Sequence, residues 1–270
     1  MIVVICGEEK SWKSTMALSF PKPLRHFDLD VGGWNRAKWR IDTKDIISKP
    51  YLLPIQVEKL MGAKKVGVSV RFPRQVIGYK ETWQKIVIDF VEACQDDTVK
   101  TIVMDSGTQL WTICHTALLQ EKQEIQISRG MKVEDELFRE RLRPVEFPND
   151  RMRTLIYTAG SYGKHLVLTH YPKFVYKDKV TDKGIESYKS DELAVDGFKE
   201  TERLADLVCW VNMNTVKIRD DANKVVGTKL EAIATITKCG IEGMGTAATG
   251  LTIDANYESI INLQEMMRGS

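Results

Sequence analysis

The run Ile2-Val3-Val4-Ile5-Cys6 is continuous, apolar and β-branched, and it stops at Gly7. A strand without polar alternation is buried on both faces, which points to the interior of a parallel sheet. Parallel neighbours need long crossover connections, so such a first strand commits a chain to alternating strands and helices. The rest of the sequence follows that pattern. Strands are expected over 24–29 (LRHFDL), 101–105 (TIVMD), 165–169 (HLVLT) and 207–213 (LVCWVNM). Helical spacing falls between them, over 14–20, 81–95, 108–122, 149–162 and 198–206, the first closed by Pro21 and Pro23.

The tail reads differently. Residues 215–220 and 226–238 are expected as antiparallel strands around Asp221-Ala222-Asn223, followed by a loop holding Gly240, Gly243, Gly245 and Gly250 and a helix near 256–267. This gives an α/β core over 1–217, interrupted by a basic insertion at 36–80, and a hairpin-and-helix extension over 218–270.

Composition narrows the class. The chain of 270 residues is 43% hydrophobic and 28% charged, as expected of a folded domain. No apolar run approaches the ~18 residues that a membrane helix needs, so no membrane partner is expected. The apolar start has no basic residues ahead of it and reads as a strand, not a signal peptide. Five scattered cysteines (Cys6, Cys94, Cys114, Cys209, Cys239) form no CxxC pair. That argues against disulfides and zinc, and for a reducing, cytoplasmic compartment. Residues 36–80 carry eleven Lys and Arg against three acids, with Trp39, Tyr51, Phe72 and Tyr79 among them. Such a segment suits a polyanion partner, and it equally suits a solvated lysine-rich surface.

The chemistry concentrates after the first strand. Gly7, Glu8, Glu9, Lys10, Ser11, Trp12, Lys13 and Ser14, with Thr15 behind them, stand where a phosphate loop belongs. In that motif backbone N–H groups cradle phosphate, a lysine reaches the β- and γ-phosphates, and a Ser or Thr hydroxyl binds Mg²⁺. Lys13 and Ser14 match. Trp12 stands where GxxxxGK[ST] requires glycine. The loop is expected to tolerate it in an ordinary helical φ, with the indole outside the phosphate cavity. Thr101-Ile-Val-Met-Asp105-Ser106 is an apolar strand ending in a carboxylate. At the carboxyl end of a parallel strand Asp105 would face the ligand crevice and hold a Mg²⁺-bound water; the plainer alternative is a cap on the next helix.

The order of IVVICG…KS, FDLD, TIVMDS and LVLTH resembles the core of the RecA-like P-loop ATPases. More closely it resembles the phage-encoded RecA-like ATPases linked to recombination and single-strand annealing. The resemblance covers about residues 1–217, and the ending NYESIINL is also similar to that group. It implies a mostly parallel sheet flanked by helices, binding of ATP and Mg²⁺, action on single-stranded DNA in recombination or replication, a homo-oligomer, and residence in the host cytoplasm. It puts Asp30 on the position of the acid that activates the attacking water, where the family usually has Glu, with Asp28 in reserve. His170 falls on the γ-phosphate sensor, with Thr169 beside it. Tyr171–Lys189 falls on a mobile DNA-binding loop, and its lysines, Phe174, Tyr176 and Tyr188 have the composition of a single-strand groove. Arg129, Arg139, Arg141 and Arg143 are candidates for phosphate contacts or a trans-acting arginine finger, but Glu134, Asp135, Glu136 and Glu140 nearly cancel their charge, which favours a surface helix. Two other classes share the phosphate loop: a small-molecule kinase with residues 129–143 as a lid, and a non-catalytic nucleotide-binding scaffold.

Overall fold

The computed structural model describes residues 1–30, 32–53, 76–131, 146–181, 184–219 and 224–269. In chain order the strands are β1 (Ile2–Cys6), β2 (Leu24–Asp28), β3 (Ile46–Pro50), β4 (Thr101–Asp105), β5 (His165–His170), β6 (Pro172–Thr181), β7 (Gly184–Val195), β8 (Leu207–Arg219), β9 (Val225–Cys239) and β10 (Thr252–Asp254). The helices are α1 (Lys13–Ala17), α2 (Gly33–Ala37), α3 (Tyr79–Gln95), α4 (Gly107–Ser128), α5 (Glu146–Ser161), α6 (Thr201–Leu204) and α7 (Tyr257–Arg268), with a 3-10 turn at Gly245–Ala248.

Eight strands form one sheet in the order β10-β9-β8-β1-β5-β4-β2-β3. From β8 to β3 every neighbouring pair is parallel; β9 and β10 add antiparallel strands at the other edge. The fold is α/β, as its apolar strands require. Alternation divides the core into two layers. Val4, Cys6, Ile102, Met104, Leu166 and Leu168 face one way and pack with Trp83, Ile86 and Phe90 of α3, Leu110 and Ile113 of α4, and Ile156 of α5. Val3, Ile5, Val103 and Val167 face the other way, against Met16 and Ala17 of α1, Ala37 of α2 and Ile260 of α7. All five cysteines are free and buried in these layers.

Several boundaries move for physical reasons. The stretches 207–213 and 215–220 are parts of one strand, because β9 pairs along almost all of β8. The hairpin therefore widens the core sheet. α4 runs to Ser128 and ends at Gly130, whose φ is 67°; its second half has the mixed exposure that hid it from a periodicity argument. The polar stretch after β5 is not a loop: β6 and β7 pair as an antiparallel hairpin from Pro172↔Val195 to Thr181↔Gly184. α2, β3 and β10 are short and lacked a sequence signal.

Candidate phosphate-loop cleft

The carboxyl ends of β1, β5, β4 and β2 lie along one edge of the sheet, and β5 separates β1 from β4. Cys6 stands level with His170, and Asp28 with Asp105. This is the edge at which open parallel sheets bind ligands. A cleft opens there, lined by Lys10 to Thr15, by Asp30, Gly33, Arg36, Ala37 and Arg40, and by Asp105 and Tyr171.

The loop from Gly7 to Trp12 is tightly built. A Cβ on Gly7 would sit 2.5 Å from the carbonyl oxygen of Val211 and 2.6 Å from Ser11 Oγ, so only glycine fits against β8. Lys10 and Trp12 both take left-handed backbone, with φ of 63° and 71°. Here the expectation for Trp12 fails. Its backbone keeps the conformation that the motif's glycine normally supplies, and the tryptophan adopts it despite the steric cost. Trp12 lines the cleft, and the guanidinium of Arg40 lies over its ring, 4.6 Å from the centroid.

Lys13 is buried, and its ammonium donates to the carbonyls of Gly7 at 2.7 Å and Glu8 at 2.6 Å. It also lies 4.4 Å from the centroid of the Tyr171 ring. Burial lowers its pKa, while Asp105, Cys6 and Asp30 oppose that shift. The Ser11 hydroxyl is buried without a hydrogen-bond partner.

Asp105 is 2% exposed. Burial alone would raise its pKa, but His26 and the hydroxyls of Ser14 and Thr169 hold it below the ordinary value. Thr169 donates to Oδ1. The other oxygen, Oδ2, has no hydrogen bond; His26 Nε2 is 3.5 Å away, too far for a full one. The helix-cap alternative fails, because Ser106 caps α4 by accepting from the Gln109 N–H. Across the pair β2–β4, Asp28 also has an unpartnered buried oxygen, and burial followed by Asp105 and Asp30 raises its pKa. Gly33 opens α2 against both carboxylates: a Cβ there would lie 3.0 Å from Asp105 Oδ2 and 3.4 Å from Asp28 Oδ1.

This donor set fits Mg²⁺. A hydroxyl and carboxylates are the hard oxygen ligands that ion prefers. No group of three metal-binding side chains occurs among the described residues; Mg²⁺ is commonly held by one or two carboxylates together with substrate phosphates.

Asp30 lines the cleft and accepts a hydrogen bond from the Tyr171 hydroxyl. His170 does not line it. Strand alternation sends Val167 and Thr169 to the face of Asp105 and His170 to the opposite face. There His170 is fully buried beside Gly107 and Gly197, with Nδ1 2.7 Å from the Asp196 carbonyl. Burial pushes its pKa down to about 4. The residues of β5 and its exit that reach the cleft are Thr169, through Asp105, and Tyr171. Arg36, Arg40 and Tyr171 escaped the sequence reading as site residues. In the sequence the arginines are two of many cations in a basic segment, and Tyr171 opens a polar stretch, so neither carries a local signal. About half of that segment (54–75), and Arg139, Arg141 and Arg143, lie outside the described residues.

Comparison with known proteins agrees with this geometry. The profile of the AAA_24 family, described as an AAA domain, matches residues 1–238. The chain belongs to this family. No curated protein matches the sequence. Among solved structures, the KaiC-like protein PH0186 of Pyrococcus horikoshii OT3 is similar at 13% identity and a TM-score of 0.43, over 94% of this chain and 84% of that one. The flagellar accessory protein FlaH of Methanocaldococcus jannaschii is similar at 13% identity and a TM-score of 0.39, over 93% and 83%. No helix among the described residues is long and apolar enough to cross a membrane.

Proposed function

We propose that the chain binds ATP with Mg²⁺ in the cleft, hydrolyses it, and couples the nucleotide to binding of single-stranded DNA. One observation carries the reading. Buried Lys13, the Ser14 hydroxyl and an Asp105 oxygen without a hydrogen bond converge on one cleft, in a chain of the AAA family. In this assignment the loop backbone N–H groups after Gly7 and the Lys13 ammonium would bind phosphates, while Ser14 and Asp105 would hold the metal. Bound Mg²⁺ supplies neutralisation of the charge that develops on the phosphates. Asp30 orients the attacking water, helped by the Tyr171 hydroxyl that fixes its carboxylate. Asp28, with its raised pKa, is the second candidate. His170 serves as packing for α4 and carries no role at the phosphates.

The DNA half rests on the β6–β7 hairpin. It leaves β5 directly after Tyr171, so its base touches the cleft. Phe174, Tyr176 and Tyr188 are 47%, 68% and 49% exposed on it. Exposed rings stack bases and lysines neutralise phosphates, the two ingredients of single-strand binding. Intramolecular pairs temper this: Lys173 with Asp196, Lys177 with Glu192, and Lys189 over the Phe174 ring. Action in phage recombination or replication, in a homo-oligomer, is the role that the motif resemblance favours.

Phosphate release from ATP and Mg²⁺, with and without single-stranded DNA, tests the whole. Turnover stimulated by DNA, and lost in Asp30→Asn and Asp105→Asn, is the expected result. Turnover indifferent to DNA removes the DNA half. Transfer to a small acceptor would make the chain a kinase, and binding without turnover would leave a scaffold.

A further inference from the structure

The cleft carries a feature that nucleotide binding by a phosphate loop does not require. Trp12 holds left-handed backbone, φ 71° and ψ 17°, a conformation that is strained for a non-glycine residue. A glycine would be free of that strain, so the indole must return something. It is half-buried and belongs to neither apolar core layer. Its contact across the cleft is the Arg40 guanidinium at 4.6 Å. Arg40 is an exposed side chain just beyond α2, and its backbone N–H closes a turn onto the Ala37 carbonyl. Free arginines are mobile; a guanidinium stacked on a ring is preorganised, so less freedom is lost when it binds.

Charge points to the ligand. The cleft's lining carries Lys10, Lys13, Arg36 and Arg40 against Asp30 and Asp105. Lys13 is engaged deep in the loop by the carbonyls of Gly7 and Glu8, whereas Arg36 and Arg40 come from the segment after β2. Arginine binds phosphate oxygens through a planar fork, often by two hydrogen bonds at once. Resting on the nucleotide reading above, we propose that Trp12 is a positioning residue that holds Arg40 in the cleft as a second phosphate-binding cation, supplied in cis, which makes the site favour triphosphate over diphosphate. Arg36 shares that wall. The tryptophan in the loop is then a specificity device and not a decayed glycine.

Equilibrium titration with Mg²⁺ and either a non-hydrolysable ATP analogue or ADP tests this on wild type, Arg40→Ala, Trp12→Gly, Trp12→Phe and the double variant Trp12→Gly/Arg40→Ala. A hydrogen-bonded charge contact is worth about 1.5–3 kcal/mol. Arg40→Ala should therefore weaken the triphosphate about tenfold or more and change ADP far less. Trp12→Gly should reproduce that loss while matching or exceeding wild-type thermal stability, and Trp12→Phe should keep most of the preference. The double variant should be no worse than Arg40→Ala alone. Triphosphate binding by Trp12→Gly at or above the wild-type level would overturn the proposal while leaving the nucleotide reading intact. So would equal losses for both nucleotides. If wild type bound neither nucleotide, the nucleotide reading and this inference would fall together.

Discussion

Replacing Gly7 by alanine perturbs the loop at its tightest point. The new Cβ would sit 2.5 Å from the Val211 carbonyl oxygen and 2.6 Å from Ser11 Oγ. Ser11 can rotate away, but the carbonyl belongs to β8, a strand paired on both sides in the middle of the sheet. The backbone must shift, and overpacking of this kind costs about 1–3 kcal/mol. At roughly 2–4 °C per kcal/mol for a chain approaching this size, the melting temperature should fall by several degrees. Gly160 is the internal control. It lies inside α5, and a Cβ there meets only Ile2 Cδ1, at 4.0 Å. Alanine is the better helix former, so Gly160→Ala should stabilise by about 0.5–1 kcal/mol. Thermal unfolding followed by circular dichroism reads both, and nucleotide titration of Gly7→Ala should show weakened binding. Equal melting temperatures for Gly7→Ala and wild type, with unchanged nucleotide affinity, would refute the packing argument.

Two further substitutions probe the buried polar groups. His170 has its pKa depressed to about 4 by burial, so the unfolded chain takes up a proton near pH 6.5 while the fold resists it. Its contribution is intact above pH ~6.5 and is lost as pH falls toward 4, by about 3 kcal/mol in all; urea midpoints should fall over that window in wild type and much less in His170→Asn. Thr169→Val removes the hydroxyl that bonds Asp105 Oδ1 and should cost about 1–3 kcal/mol at neutral pH. Because the Asp105 pKa is lowered in the fold, that deficit should shrink below pH ~4, and a deficit constant with pH would refute the assigned contact.

How much of this was legible depended on burial. β1, β4 and β5 stood out because strands covered on both faces leave no polar residue to confuse the pattern. Lys13, Ser14 and Asp105 were legible because each lies at a fixed distance from such a strand. The face taken by His170 was not. Thr169 and His170 are adjacent, a strand sends adjacent residues to opposite faces, and a motif that tolerates either residue at the strand end does not say which one turns toward Asp105. The β6–β7 hairpin was hidden for the opposite reason: most of its side chains are exposed, so neither face carries an apolar alternation. Arg36 and Arg40 reach the cleft only because Gly33 lets α2 approach Asp28 and Asp105, a tertiary fact without a local signature. The backbone of Trp12 was not legible because the loop around it overrides the residue's own conformational preference.

The central claim is that this cleft is a nucleotide site built on Lys13. Calorimetric titration of ATP with Mg²⁺ into folded wild type and folded Lys13→Ala tests it most directly. Lys13 is the buried cation of the cleft and lies against the loop carbonyls of Gly7 and Glu8. Wild type should bind with a saturating isotherm at one site per chain, and Lys13→Ala should bind at least about tenfold more weakly, in keeping with loss of a charge-assisted contact. Equal affinities in the two proteins, or no binding by wild type, would contradict the account.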